Sequence, residues 1–166
     1  MKLMSVVPFL ALLVGCQSTK QIENSYNEAY LESSADLIFS SPNFSSPHIP
    51  PIISGFAYLE SYSMNEFCSG NRNLIGKVSV TRKNKTQFSK IPSGDIVVNA
   101  GYHAMGAGGL KGNTYYGFNV DPHRSYKITL TESRPLVTSY SVMFEEISGG
   151  AVSRLRVLNG VHSICQ

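Results

Sequence analysis

The side chains that could carry out chemistry lack the spacing that catalysis or metal binding requires. No histidine stands at the His-x-x-x-His spacing of zinc sites, and no Cys-x-x-Cys pair occurs. The glycine-rich run 105–113 does not match the phosphate-binding loop, because Lys111 precedes its last glycine and strand-type residues follow. Gly-x-Ser-x-Gly is missing from the sequence. These patterns predict no catalytic residue, no metal site and no cofactor. The four histidines are His48, His103, His123 and His162.

Carboxylate pairs, the hallmark of many hydrolases, are also missing as a recognisable pattern. Glu145 and Glu146 are adjacent, so on a strand they would face opposite sides. Asp95 and Asp121 show no spacing that marks an acid and a base. We therefore predict that the folded part is not an enzyme, although a hydrolase assembled from distant carboxylates stays open as an alternative.

Two groups of residues could contact a partner. The first is the basic turn that contains Arg82, Lys83 and Lys85. It is either a solvated turn or a contact for anionic lipid headgroups, lipopolysaccharide phosphates or an acidic protein. The second flanks the glycine-rich run, where tyrosines either build a binding patch or fill a core that has no tryptophan. Lys90 extends the basic group. The predicted binding surface is Arg82, Lys83, Lys85, Tyr102, His103, Lys111, Tyr115 and Tyr116.

Alternating hydrophobicity predicts the elements that position these residues. From residue 55 onward, apolar and polar positions alternate in short segments, as in strands with one buried face. Turn-forming residues separate these segments. The sequence thus predicts an all-β fold over 54–166, an antiparallel β-sandwich of about seven or eight strands, with a small barrel as the alternative. The clearest segments are 77–81, 115–120, 125–131 and 140–144.

The region 16–53 differs in composition from the domain that follows it. Residues 24–38 show a weak helical pattern, and residues 40–54 are rich in serine and proline, which favours extended conformations. We predict a tether and spacer here. The alternative is that part of the region packs on the domain as an edge strand or a helix.

The first sixteen residues have the layout of an export signal. Lys2 precedes an apolar run over 3–14, which Ser5 interrupts, and Gly15-Cys16 follows. The run is too short for a membrane-spanning helix, which needs about 20 apolar residues. The alternative is a buried core helix in which Cys16 is an ordinary packed thiol.

Two cysteines remain downstream of this signal, Cys68 and Cys165. Exported compartments are oxidising, so an even pair predicts a disulfide bond. It would close a loop of about a hundred residues and contribute up to ~4.7 kcal/mol in the chain-entropy treatment. A reactive thiol pair is the alternative, but no Cys-x-x-Cys pattern supports it.

Leu13-Val14-Gly15-Cys16 resembles the lipobox of bacterial lipoproteins. The resemblance implies removal of residues 1–15 as a signal peptide and attachment of fatty acids such as palmitate at Cys16. It also implies a lipid-anchored protein of the cell envelope. Because Gln17 is not aspartate, it implies sorting to the outer membrane, facing the periplasm.

A second resemblance concerns the fold. Residues 91–103 and 121–126 resemble strand segments of small β-sandwich domains in other exported bacterial proteins. The net charge of +3 is too small to indicate nucleic-acid binding. We expect a non-enzymatic binding or assembly-accessory module with an envelope protein partner. The alternative is an inhibitor or immunity-type lipoprotein that blocks a hydrolase or toxin with a loop such as 103–113.

Overall fold

A computed structural model describes residues 25–26, 33–45, 48–49, 53–104, 111–134 and 137–166. Within these ranges the chain forms twelve strands and two short helices. They are β1 (Ser25–Tyr26), β2 (Ser34–Ser40), β3 (His48–Ile49), β4 (Ile53–Ser63), α1 (Met64–Cys68), β5 (Gly76–Val80), β6 (Thr86–Pro92), β7 (Gly94–Ala104), β8 (Lys111–Val120), β9 (Ser125–Arg134), β10 (Val137–Ser148), β11 (Ala151–Arg154), β12 (Leu158–Asn159) and α2 (Val161–Ile164).

The described strands form two sheets. The first has the order β1-β5-β4-β7-β8-β12, and β3 also pairs with β4. The second has the order β11-β10-β9-β2-β6. The sheets lie so that β5 is beside β6 on one side of the molecule and β8 is beside β10 towards the other. Every described pairing except that of β2 with β9 is antiparallel.

One hydrophobic core lies between the two sheets. Leu59, Val98 and Val78 point into it from the first sheet, and Ile128 and Leu130 from the second, each at most 1 % exposed. Their neighbours along each strand face outwards, as the alternation predicts. The prediction of an all-β sandwich is confirmed. The number of strands exceeds the predicted seven or eight, because short strands and β2 add to those expected.

β2 corrects the predicted tether. Ala35, Leu37 and Phe39 on this strand are at most 1 % exposed, and all belong to the core. The strand lies inside the second sheet, parallel to β9 and antiparallel to β6. Residues 33–45 are therefore part of the domain. The predicted boundary at residue 54 is wrong here, and so is the helix for residues 34–38, because burial of three alternate apolar side chains outweighs the weak helical pattern.

The predicted disulfide is confirmed. Cys68 at the end of α1 is bonded to Cys165, which directly follows α2, with 5.3 Å between their Cα atoms. The bond joins both helices over the outer face of the first sheet, at the end where β4 finishes and β7 begins. We call α1, α2 and this bond the cap.

The cap encloses a second, smaller hydrophobic cluster. Phe67 of α1, Val97 of β7 and Ile164 of α2 are buried in it. Gly117 of β8 allows the helices to approach, because a Cβ there would lie 3.0 Å from Met64 Cε and 3.1 Å from Ile164 Cγ1. The cap therefore covers one half of the outer face of the first sheet.

The predicted signal peptide 1–15 and the lipidation site Cys16 lie outside the described residues. In the part of the chain that is described, no helix has the length and apolar character needed to cross a membrane.

Candidate functional site

Two of the predicted binding residues fill the core. Tyr102 is 7 % exposed, and its ring centroid lies 4.9 Å from that of Tyr140. Tyr116 packs against the core, 5.0 Å from the ring of Phe144. The prediction that these tyrosines line an exposed surface is wrong, because alternation along β7 and β8 directs both of them between the sheets.

The other predicted residues lie outside the core at separate places. Tyr115 and His103 are on the outer face of the first sheet, where Tyr115 packs on Phe67 with 5.0 Å between ring centroids. Lys111 pairs through its backbone with His103, and its side chain is outside the described part. The remaining three residues are exposed in the turn between β5 and β6: Arg82, Lys83 and Lys85.

A row of polar side chains crosses the outer face of the first sheet. The register places Lys77 of β5 beside Glu60 of β4, Glu60 beside Asn99 of β7, and Asn99 beside Tyr115 of β8. We call these four residues the polar row. Directly opposed side chains in adjacent antiparallel strands are close enough to interact. The four residues of the polar row therefore lie side by side across four neighbouring strands.

Glu60 is the centre of this group. Its carboxylate accepts hydrogen bonds from Lys77 Nζ at 2.7 Å and from Asn99 Nδ2 and the Tyr62 hydroxyl, each at 3.1 Å. The side chains of Lys77 and Glu60 are only 32 % and 19 % exposed. A charge-assisted bond in such an environment is stronger than one in open water. The three donors therefore fix the carboxylate in one orientation.

Two tyrosines flank Glu60 on β4. Burial, followed by the nearby Glu60 charge, raises the pKa of Tyr58 to about 12. Burial and the same carboxylate raise the pKa of Tyr62 as well. Lys77 Nζ lies 5.2 Å from the centroid of the Tyr58 ring, within the range of a cation–π contact. Both phenols therefore stay protonated well into the alkaline range, and the Tyr62 hydroxyl is already bonded to Glu60.

Asn99 carries a polar atom whose bonding capacity is unused within the described residues. The residue is 4 % exposed, and its Nδ2 donates to Glu60, but its Oδ1 has no hydrogen-bond partner there. A buried acceptor without a donor is energetically costly. This oxygen is itself buried, so it is an unsatisfied acceptor beneath the surface of the polar row.

Among the described residues, the cap does not extend over the other half of this face. Beyond Glu60, away from the cap, Phe56 of β4 lies beside His103 of β7, with 5.1 Å between ring centroids. Both residues are half-buried. We call Phe56 and His103 the open half. It borders the polar row and presents aromatic rings next to fixed polar atoms, an arrangement suited to contact with a protein or another polar partner.

Sequence reasoning did not single out Glu60, Asn99, Lys77 or Tyr62. The available signal was alternation along β4, which places Phe56, Tyr58, Glu60 and Tyr62 on one face. The positions across the strands depend on register, which the sequence of one strand does not reveal. No group of three or more His, Cys, Asp or Glu side chains with metal-binding geometry occurs in the described part of the chain.

No protein family, curated protein or solved structure matches the chain.

Proposed function

We propose that this chain is a lipid-anchored protein of the bacterial cell envelope whose β-sandwich acts as a non-enzymatic binding or assembly-accessory module at the outer membrane. The observation that carries the proposal is Leu13-Val14-Gly15-Cys16, which ends a short apolar run behind Lys2. An acylated Cys16 carrying two or more chains binds a bilayer firmly, whereas one chain binds only marginally.

The disulfide supports export from the cytoplasm. Disulfide bonds persist in oxidising compartments such as the periplasm and are rare where glutathione keeps thiols reduced. The bond between Cys68 and Cys165 joins the two helices of the cap. A protein that needs this bond to close its cap is suited to a compartment outside the cytoplasm.

The open half is the surface that we assign to the envelope partner. Phe56 and His103 are accessible beside the polar row, whereas the cap covers the opposite half of the same face. Aromatic side chains that combine accessible area with low flexibility contribute strongly to interfaces. The partly exposed side chains of Glu60 and Lys77 supply directional polar contacts at the border.

The anchor is tested by replacing its cysteine. Cys16→Ala should abolish incorporation of labelled palmitate and release the protein from the membrane fraction. Ser18→Ala, two residues downstream, is the matched control and should remain labelled and membrane-bound. Mass spectrometry that finds an unmodified Cys16 or an intact Met1 in the parent protein would contradict the proposal.

Sorting has a separate test. Gln17→Asp should shift the lipidated protein from the outer to the inner membrane in a diderm host, with labelling at Cys16 unchanged. An unaltered distribution on a density gradient would contradict the outer-membrane assignment.

The binding role is tested by crosslinked affinity purification from the native host. Phe56→Ser should reduce recovery of a specific envelope component, and Val152→Ser, at an exposed position on β11, should leave recovery unchanged. A one-to-one complex with a hydrolase that depends on residues 103–113 would instead favour the inhibitor alternative. Equal recovery with both variants would contradict the assignment of the open half.

A further inference from the structure

The side of the sandwich formed by β1, β5 and β6 carries a group of exposed cations. Arg82 and Lys83 in the turn between β5 and β6 are exposed, and neither forms an ion pair with any described residue. Lys85 is exposed too, and its Nζ donates to the carbonyl of Pro42 at 2.6 Å. Nothing in the described structure neutralises the positive charge of this turn.

The most exposed large apolar side chain among the described residues lies on the same edge. Phe88 of β6 is 71 % exposed, compared with 59 % for Val152 and less for the others. Lys90, two residues further, is on the same face of β6 and pairs with Asp36 at 2.6 Å. We call Arg82, Lys83, Lys85, Phe88 and Lys90 the basic edge.

Aromatic and cationic side chains together are typical of surfaces that rest on anionic bilayers. The ring enters the interfacial region, while Lys and Arg interact with headgroup phosphates. Among the described residues, Asp36 is the carboxylate that forms an ion pair with this edge, through Lys90.

The register of β1 limits how far from this side the anchor can be. β1 pairs with β5, and Ser25 lies opposite Lys77. Because the two strands are antiparallel, the chain enters β1 from the direction of Val80 and the basic turn. Only residues 17–24 separate Cys16 from Ser25, and such a segment spans at most about 30 Å when fully extended.

We propose that the basic edge lies against anionic phospholipid headgroups of the membrane that holds the anchor. This inference rests on the proposed lipidation of Cys16, which keeps the domain within the reach of a short tether. The opposite side, with β11 and β12, then faces away from the bilayer. In that orientation, the outer face of the first sheet lies beside the membrane and does not contact it.

The chain contains no tryptophan, which allows a single reporter to be placed on each side. Full-length lipidated Phe88→Trp is reconstituted in vesicles of phosphatidylcholine alone or of phosphatidylcholine with phosphatidylglycerol. Emission should shift to shorter wavelength, and brominated acyl chains should quench it, only in the anionic vesicles. Val152→Trp on the opposite edge is the matched control and should show neither change.

Charge variants test the source of the attraction. In the Phe88→Trp background, Arg82→Glu/Lys83→Glu should abolish the shift, and so should high salt, which screens the headgroup charge. Arg154→Glu/Arg156→Glu makes the same change of charge at exposed positions on the opposite side and should leave the shift intact.

Flotation separates the outcomes of this inference from those of the anchor. A lipidated protein floats with both kinds of vesicle whatever the basic edge does. If the Phe88→Trp variant floats with both kinds of vesicle but shows no emission shift in either kind, the membrane contact is overturned and the anchor is retained. An acidic protein then becomes the partner for the basic edge. A shift in anionic vesicles without flotation on phosphatidylcholine supports the contact and overturns the anchor.

Discussion

Two ion pairs, one on the outer face of each sheet, differ in burial, although the same alternation builds both faces. On the first sheet, Glu60 and Lys77 form a half-buried pair within a network, and the cap covers the adjoining residues. On the second sheet, Asp36 and Lys90 form a pair whose side chains are 61 % and 52 % exposed. The cap packs on the first sheet next to this network, through Tyr62 and Tyr115. Burial, rather than the type of residue, turns one pair into a candidate site.

Removing the disulfide should produce the largest difference between the two faces. Cys68→Ala/Cys165→Ala should lower the free energy of unfolding by up to ~4.7 kcal/mol, because the bond closes a long loop. Urea denaturation followed by circular dichroism measures the loss. Quencher access to Tyr115 should rise. Unchanged stability and unchanged access would contradict the role assigned to the cap.

Alkaline pH should lower the free energy of unfolding, because tyrosines on the outer face of the first sheet ionise. Folding raises the pKa of Tyr58 from 10.0 to about 12, so the fold favours its neutral form. That contribution is complete below pH 10 and is lost as pH rises through about 12. Two pKa units correspond to roughly 2–3 kcal/mol. Urea denaturation across this range should show the fall.

Tyr58→Phe separates this effect from the titration of surface lysines. The variant should reduce the slope of the stability profile between pH 10 and 12, and absorbance at alkaline pH should lose one late-ionising phenol. A parent profile that is level over this range, or a variant as steep as the parent, would show that burial of this phenol does not act as described.

Removing the central carboxylate should cost less than removing the disulfide, but more than removing Asp36 from the second sheet. Glu60→Ala leaves Lys77, Asn99 and Tyr62 without their shared acceptor. Unsatisfied buried donors cost about 1–3 kcal/mol, so the free energy of unfolding should fall by that order. Thermal and urea denaturation at neutral pH measure it. A loss below that of Asp36→Ala would contradict the central position of Glu60.

The sequence alone predicted much of the frame of this molecule but little of its candidate site. Alternation identified the inward faces of β5, β8 and β9, because each pattern is local and one side of each strand is buried. Ser34–Ser40 was missed because it lies beside a serine- and proline-rich stretch and pairs in parallel with β9, almost ninety residues away, at Asp36 with Ser125. A pairing between such distant segments produces no local pattern in the sequence.

The polar row could not be predicted from the sequence for a similar reason. Glu60 and Asn99 are 39 residues apart and meet only because β4 and β7 pair in one register. A slip of one residue would turn Asn99 into the core. By contrast, the disulfide could be predicted because two cysteines admit a single intramolecular pairing once Cys16 is set aside.

The smallest effect should come from the exposed pair of the second face. Asp36→Ala removes the partner of Lys90, yet both side chains are largely in water. Exposed ion pairs contribute about 0–1 kcal/mol, and salt screens them. The free energy of unfolding should therefore change by less than about 1 kcal/mol, and the difference should vanish in high salt. Because Asp36 and Glu60 are both strand carboxylates paired with lysine, a larger loss at Asp36 would mean that burial does not distinguish the two faces.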